Sequence, residues 1–225
     1  MQYSIIQKSQ LEGGLRLDVE DWFKYIKPIY EKRKNLKNPL WDGFGLIYTI
    51  DNNRYERLKN LIEKVAKNVK NFEQIFEIAS QLKDKDADDR IDDMISELRA
   101  ASYLIDRGYE KIEYQKRKLD FKCKKDKEEF LVEVKFVRGP DFKTQERVYL
   151  AYKLSPDKPI DIFNRKYIEA KQQFINHKVM VGSQMIILVT SLLESDKFWF
   201  GDTVENWRRN QDIKTVILTN GDIYE

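Results

Sequence analysis

The chain has 225 residues, a formal net charge of +3, and 35% charged against 41% hydrophobic residues. That is apolar enough for one elaborated domain or two small ones and excludes a disordered chain; the weak basicity favours a polyanionic partner only mildly. The single Cys123 excludes an internal disulfide, and no signal peptide or bilayer-length apolar run occurs, so a soluble, cytoplasmic protein without a membrane partner is expected.

Residues 1–85 read as a mainly helical N-terminal region and residues 86–225 as an α/β domain. Residues 18–26 form a short helix that stops around Pro28, residues 39–45 are turn-rich, and residues 46–50 read as a short strand. Trp22, Phe23 and Trp41 are candidate anchors for a partner or a homodimer, although core packing explains them more simply. From Asp51 a long amphipathic helix is expected, with Leu58, Leu61, Ile62, Val65 and Val69 at helical spacing and Phe72, Ile75, Phe76 and Ala79 continuing it. Residues 83–90 are a charge-dense boundary.

Residues 91–108 carry apolar side chains at 91, 94, 95, 98, 101, 104 and 105, a helical pattern that Gly108 is placed to cap. Glu97 falls about a quarter turn from the centre of the apolar stripe, on the flank, where it can reach a site at a sheet surface. Residues 111–114 read as a first strand. Residues 118–123 then alternate polar and apolar, 124–127 form a charged turn, and 130–137 are rich in β-branched and aromatic residues, so a β-hairpin is expected.

With residues 125–128 in the loop, Leu119, Phe121 and Cys123 lie opposite Val134, Val132 and Phe130, apolar against apolar, and a one-residue slip would destroy the match. Cys123 is then a core residue. The same register sets Asp120 opposite Glu133 on the other face, with β-carbons about 5 Å apart. Glu133 and Lys135, two apart on a strand, share that face. Two carboxylates so close repel unless a proton or a cation lies between them. With all-oxygen donors and a lysine alongside, Mg²⁺ is the natural occupant, because it keeps waters and takes up phosphate oxygens.

A helix over 161–177 follows, with apolar positions 162, 163, 167, 170 and 174. Glu169 and Lys171, which with Asp157 mimic the letters of a D…ExK motif, face away from each other on such a helix and cannot share a site. A strand at 184–190, a short helical segment at 204–209 and a last strand at 214–219 complete the pattern. His177 is the single histidine and no G-x-x-x-x-G-K-S/T occurs, so zinc clusters, Ser-His-Asp triads and P-loop motors are unsupported.

Asp120 followed by Glu133-Val134-Lys135 across a hairpin resembles the active-site signature of the PD-(D/E)XK, or restriction-endonuclease-like, nuclease superfamily. Glu97 matches a glutamate that many members carry on the preceding helix. The resemblance runs from residue 87 to residue 190. Leu119 stands where the name-giving proline would be, and the long region before Glu97 differs from the compact Holliday-junction resolvases, so the subfamily stays open.

The resemblance implies an α/β fold whose core is a helix, a three-strand meander, a helix and a strand. It also implies a metal-dependent (endo)nuclease that hydrolyses phosphodiester bonds in DNA with Mg²⁺, for which Mn²⁺ substitutes. Asp120, Glu133 and the backbone carbonyl of Val134 would ligate metal, Lys135 would orient or deprotonate the attacking water, and Glu97 would bind a second metal or position water. Lys171 or Gln173 would reach toward metal or phosphate, and Lys118, Lys122 and Lys124 border the site as phosphate contacts. The same fold also serves non-catalytic nucleic-acid-binding or assembly modules, and RNA in place of DNA stays open.

Overall fold

A computed structural model describes residues 52–77, 87–115, 118–137, 158–180, 182–190, 197–219 and 223–225. The helix and strand expected within residues 18–50, with Trp22, Phe23 and Trp41, lie outside these residues. The first described helix, α1 (Asn52–Asn68), presents Ile62 and Val65 inward, both fully buried. It does not run on to Ala79. Val69 and Lys70 leave it as a short strand, β1 (Val69–Lys70), and Asn71 takes a left-handed φ of 60°, which asparagine tolerates better than most residues. A single turn, α2 (Gln74–Glu77), follows and buries Ile75.

The next helix, α3 (Ala87–Asp106), buries Met94, Ile95, Leu98, Ala101 and Leu104, and α1 packs against it. Gly108 ends it with φ 73°: its N–H donates to the Ile105 carbonyl and that of Tyr109 to the Leu104 carbonyl. These two bonds make a Schellman motif, in which a left-handed residue satisfies the last carbonyls of the helix.

Strands β2 (Glu110–Tyr114), β3 (Phe121–Lys125) and β4 (Glu128–Val137) form an antiparallel meander. The β3–β4 turn is two residues, Asp126 and Lys127, both with positive φ, as the twist of a tight hairpin requires. Phe121 pairs with Val132 and Cys123 with Phe130, the register that apolar matching predicts. Leu119 departs from it. The chain bends before β3, and Leu119 packs with Val137 and Phe163 on the opposite side of the sheet from Phe121.

From β4 the chain crosses through α4 (Lys158–Asn176) to β5 (Gln184–Thr190), which pairs parallel with β4. Helix α5 (Lys197–Arg209) leads to β6 (Lys214–Leu218), parallel to β5, and β7 (Ile223–Tyr224) closes the edge antiparallel. The fold is therefore mixed α/β: the described residues form one sheet of seven strands in chain order, with three parallel and three antiparallel pairings. The predicted helix at 204–209 is longer than its apolar signal, and β1 and β7 are too short to give one.

The burial pattern divides the sheet. Met185 to Val189 on β5 and Val216 and Ile217 on β6 are fully buried, as strands covered on both faces must be. β2 and β3 alternate, with Ile112, Tyr114, Phe121 and Cys123 turned to the α3 layer. On the other side, Phe163, Tyr167, Ala170 and Phe174 of α4 and Val204 and Trp207 of α5 pack with Val137, Ile186, Leu188 and Ile217. Among the described residues no helix is long and apolar enough to cross a membrane.

Candidate active site

The site forms where β3 is shorter than β4. Leu131 donates its N–H to the Ser183 carbonyl on the β5 side, so by the period of two the N–H and C=O of Val132 and Val134 point toward β3. The β3 ladder ends with the Phe121–Val132 pair. One residue beyond it, the Asp120 carboxylate takes the place of the missing strand: Oδ2 accepts the Val134 N–H at 2.6 Å. The Asp120 carbonyl in turn accepts the Gln115 N–H at 2.9 Å, which fixes the bend to the end of β2. The Val134 carbonyl points into the same notch.

Glu133 and Lys135 stand side by side on β4, as their spacing predicts. Glu133 is 4% exposed, and its Oε1 accepts a hydrogen bond from Lys135 Nζ at 2.6 Å. Asp120 and Glu133 touch through the backbone as well, because the Asp120 main chain hydrogen-bonds the Glu133 carboxylate.

The electrostatics are those of two acids sharing too little water. Burial, and then the Glu133 charge, push the Asp120 carboxyl up to about 7 against the pull of the Val134 N–H and Lys135. Burial also raises Glu133, opposed by the Lys135 ammonium. Lys135 loses hydration, which lowers it, but the Glu133 charge outweighs that loss and its net shift is upward. The trio thus holds one firm cation and a carboxylate pair that resists a second negative charge.

Two further residues, not singled out by sequence, act on the cluster. Asp93, half-buried on α3, adds its negative charge to both Asp120 and Lys135. It lies one turn before Glu97, which is half-buried on the same side of the helix. The i, i+4 pair of acids along the edge of the apolar stripe was the available signal. His177, exposed past the end of α4, stabilises the Glu133 anion.

The predicted phosphate contacts scatter. Lys118 is exposed at the bend, and Lys122 and Lys124 of β3 flank Glu129 at 2.8 and 3.8 Å. Lys171 is ion-paired to Asp212 at 2.5 Å, and Gln173 is half-buried on α4.

Among the described residues no group of three or more His, Cys, Asp or Glu side chains is arranged to hold a metal ion. The donors at the notch are two carboxylates and one backbone carbonyl. That set fits Mg²⁺ or Mn²⁺, hard cations that take few protein oxygens and keep waters. The raised Asp120 carboxyl is the corresponding observation, since a cation would remove the repulsion that raises it. No protein-family model, curated protein or solved structure matches this chain.

Proposed function

We propose that this protein is a metal-dependent nuclease of the PD-(D/E)XK type that hydrolyses phosphodiester bonds in DNA, either restriction-type or structure-specific. The observation that carries the reading is the convergence of Asp120, Glu133 and Lys135 at one strand-end notch. The order α3, β2–β4 meander, α4, β5, with β5 parallel to β4, supports a restriction-endonuclease-like core.

Asp120, Glu133 and the Val134 carbonyl would hold the divalent ion. When bound, that ion supplies a lowered water pKa and a polarised phosphate. Lys135, hydrogen-bonded to Glu133, would help deprotonate or orient the attacking water and balance charge in the transition state. Asp93 acts on Asp120 and Lys135 from the α3 side, and Glu97, one turn further along α3, would bind a second metal or position water. Asp120 must shed its proton to act as a ligand, so metal and proton compete at this group.

A second reading has its own observation. Each site group already has a partner within the chain, and a non-catalytic nucleic-acid-binding or assembly module would use these contacts for structure alone. The test is cleavage of supercoiled plasmid, single strand, fork, four-way junction and an RNA strand with Mg²⁺ or Mn²⁺, alongside Glu133→Ala. Metal-dependent cutting that disappears in Glu133→Ala is expected, and the preferred substrate separates DNA from RNA. Identical behaviour of the two proteins would favour the module.

A further inference from the structure

Helix α4 has two flanks beside its buried stripe of Phe163, Tyr167, Ala170 and Phe174. One faces α5 and the start of β6: the Asn164 side chain accepts a hydrogen bond from Trp207 Nε1 at 2.6 Å, and Lys171 reaches Asp212. At 100° per residue, Lys166, Gln173 and His177 fall on the opposite flank, toward β4 and β3. His177 keeps this phase beyond the end of the helix, because its N–H still donates to the Gln173 carbonyl at 3.0 Å.

The height of His177 on the sheet follows from the next turn. Gln184 Nε2 donates to the Val179 carbonyl at 2.9 Å, and Gln184 pairs with Leu131. The C-terminal end of α4 therefore lies at the Leu131 end of β4. Leu131 packs in the α4-side cluster, so Glu133, two residues on, shares its face and meets this flank of α4. Lys135 approaches Glu133 from the other end of the strand. The remaining charges here are already paired, Lys70 with Glu113, Lys122 with Glu129 and Lys166 with Glu169. His177 is exposed, and the pull of its charge on the Glu133 carboxyl agrees with this placement.

We infer that His177 is a further catalytic residue of the proposed nuclease, its ring N–H donating a hydrogen bond to the oxygen that leaves phosphorus. The role rests on the nuclease reading; the placement rests on α4. In an in-line displacement the entering and leaving oxygens lie on opposite sides of phosphorus. Lys135 serves the water on one side of Glu133, so the donor on the other side meets the leaving oxygen. There it offsets the negative charge that develops as the P–O bond breaks. The water oxygen forms the new bond to phosphorus, its proton passes to solvent, and the leaving oxygen takes a proton from solvent.

The test is single-turnover cleavage by the full chain with Mn²⁺ of two versions of its preferred DNA, one normal and one with sulfur in place of the leaving oxygen. A thiolate is a far weaker base than an alkoxide and leaves without a donor. His177→Ala should slow the normal substrate about a hundredfold with the Kd for DNA unchanged, and should cut the sulfur substrate at the wild-type rate. His177→Gln, which keeps an N–H donor, should recover part of the loss. Should His177→Ala melt below the wild type, His177→Phe takes its place. Equal slowing of both substrates, or no slowing of either, would overturn this role while the nuclease reading stands. A wild type that cuts nothing, or that cuts no better than Glu133→Ala, would overturn the nuclease reading and this role with it.

Discussion

At Asp120, burial and the Glu133 charge push one way, the Val134 N–H and Lys135 push the other, and the carboxyl settles at about 7. An unfolded chain would release this proton near 3.8. The folded state therefore keeps its full stability below that value and loses stability as pH rises through 7. Asp120→Asn keeps an oxygen for the Val134 N–H and removes the charge. In metal-free urea denaturation it should match the wild type near pH 4 and exceed it by roughly 2 kcal/mol near pH 8; a less stable variant at pH 8 would contradict the account. Cys123 gives a second residue-scale expectation. Burial pushes its thiol up to about 12, so a disulfide reagent should modify it only as fast as the chain opens. The Glu133–Lys135 pair was legible in sequence because a strand has a period of two. Asp93 was not, because its i, i+4 spacing from Glu97 marks only one side of a helix, while its part in the cluster depends on how α3 packs on the sheet.

Among the elements, the hairpin shows both what local rules predict and what they miss. Alternation fixes Phe121 against Val132 and Cys123 against Phe130, since any slip buries lysines. It fails at Leu119, where the bend that delivers Asp120 to Val134 turns the preceding side chain to the other layer. The turn itself carries strain: Asp126 and Lys127 have φ of 51° and 71°. Replacing them with Asn-Gly should raise stability by about 1 kcal/mol, seen as a higher urea midpoint at constant m. Gly108 makes the converse case. No atom lies within 4 Å of where its Cβ would stand, so Gly108→Ala should cost about 1 kcal/mol from backbone conformation alone. The broken helix after Asn68 was hidden because Val69, Phe72 and Ile75 keep helical spacing while Val69 is recruited by β2.

Over the whole molecule, the two sides of the sheet do different work. The α3 side is one apolar cluster, in which Ile62, Val65, Val69 and Ile75 join residues of α3 and of β2 to β6. Ile62→Ala should therefore cost roughly 2–4 kcal/mol in a single unfolding transition, and an unchanged main transition would show that α1 folds apart from the sheet. The α4 side is apolar over β4–β6 and polar over β1–β3, with Glu133 and Lys135 at the border. From α3 to β6 the order of helices and strands was readable from periodicity; the border was not, because it depends on which strands the helices cover. A divalent cation held between Asp120 and Glu133 at this border would need both carboxylates. Calorimetric titration of Mn²⁺ into wild type, Asp120→Asn and Glu133→Gln near pH 8 should therefore give saturable binding by the wild type that is lost in both variants; no binding by the wild type, or equal binding by all three, would rule out the proposed metal site.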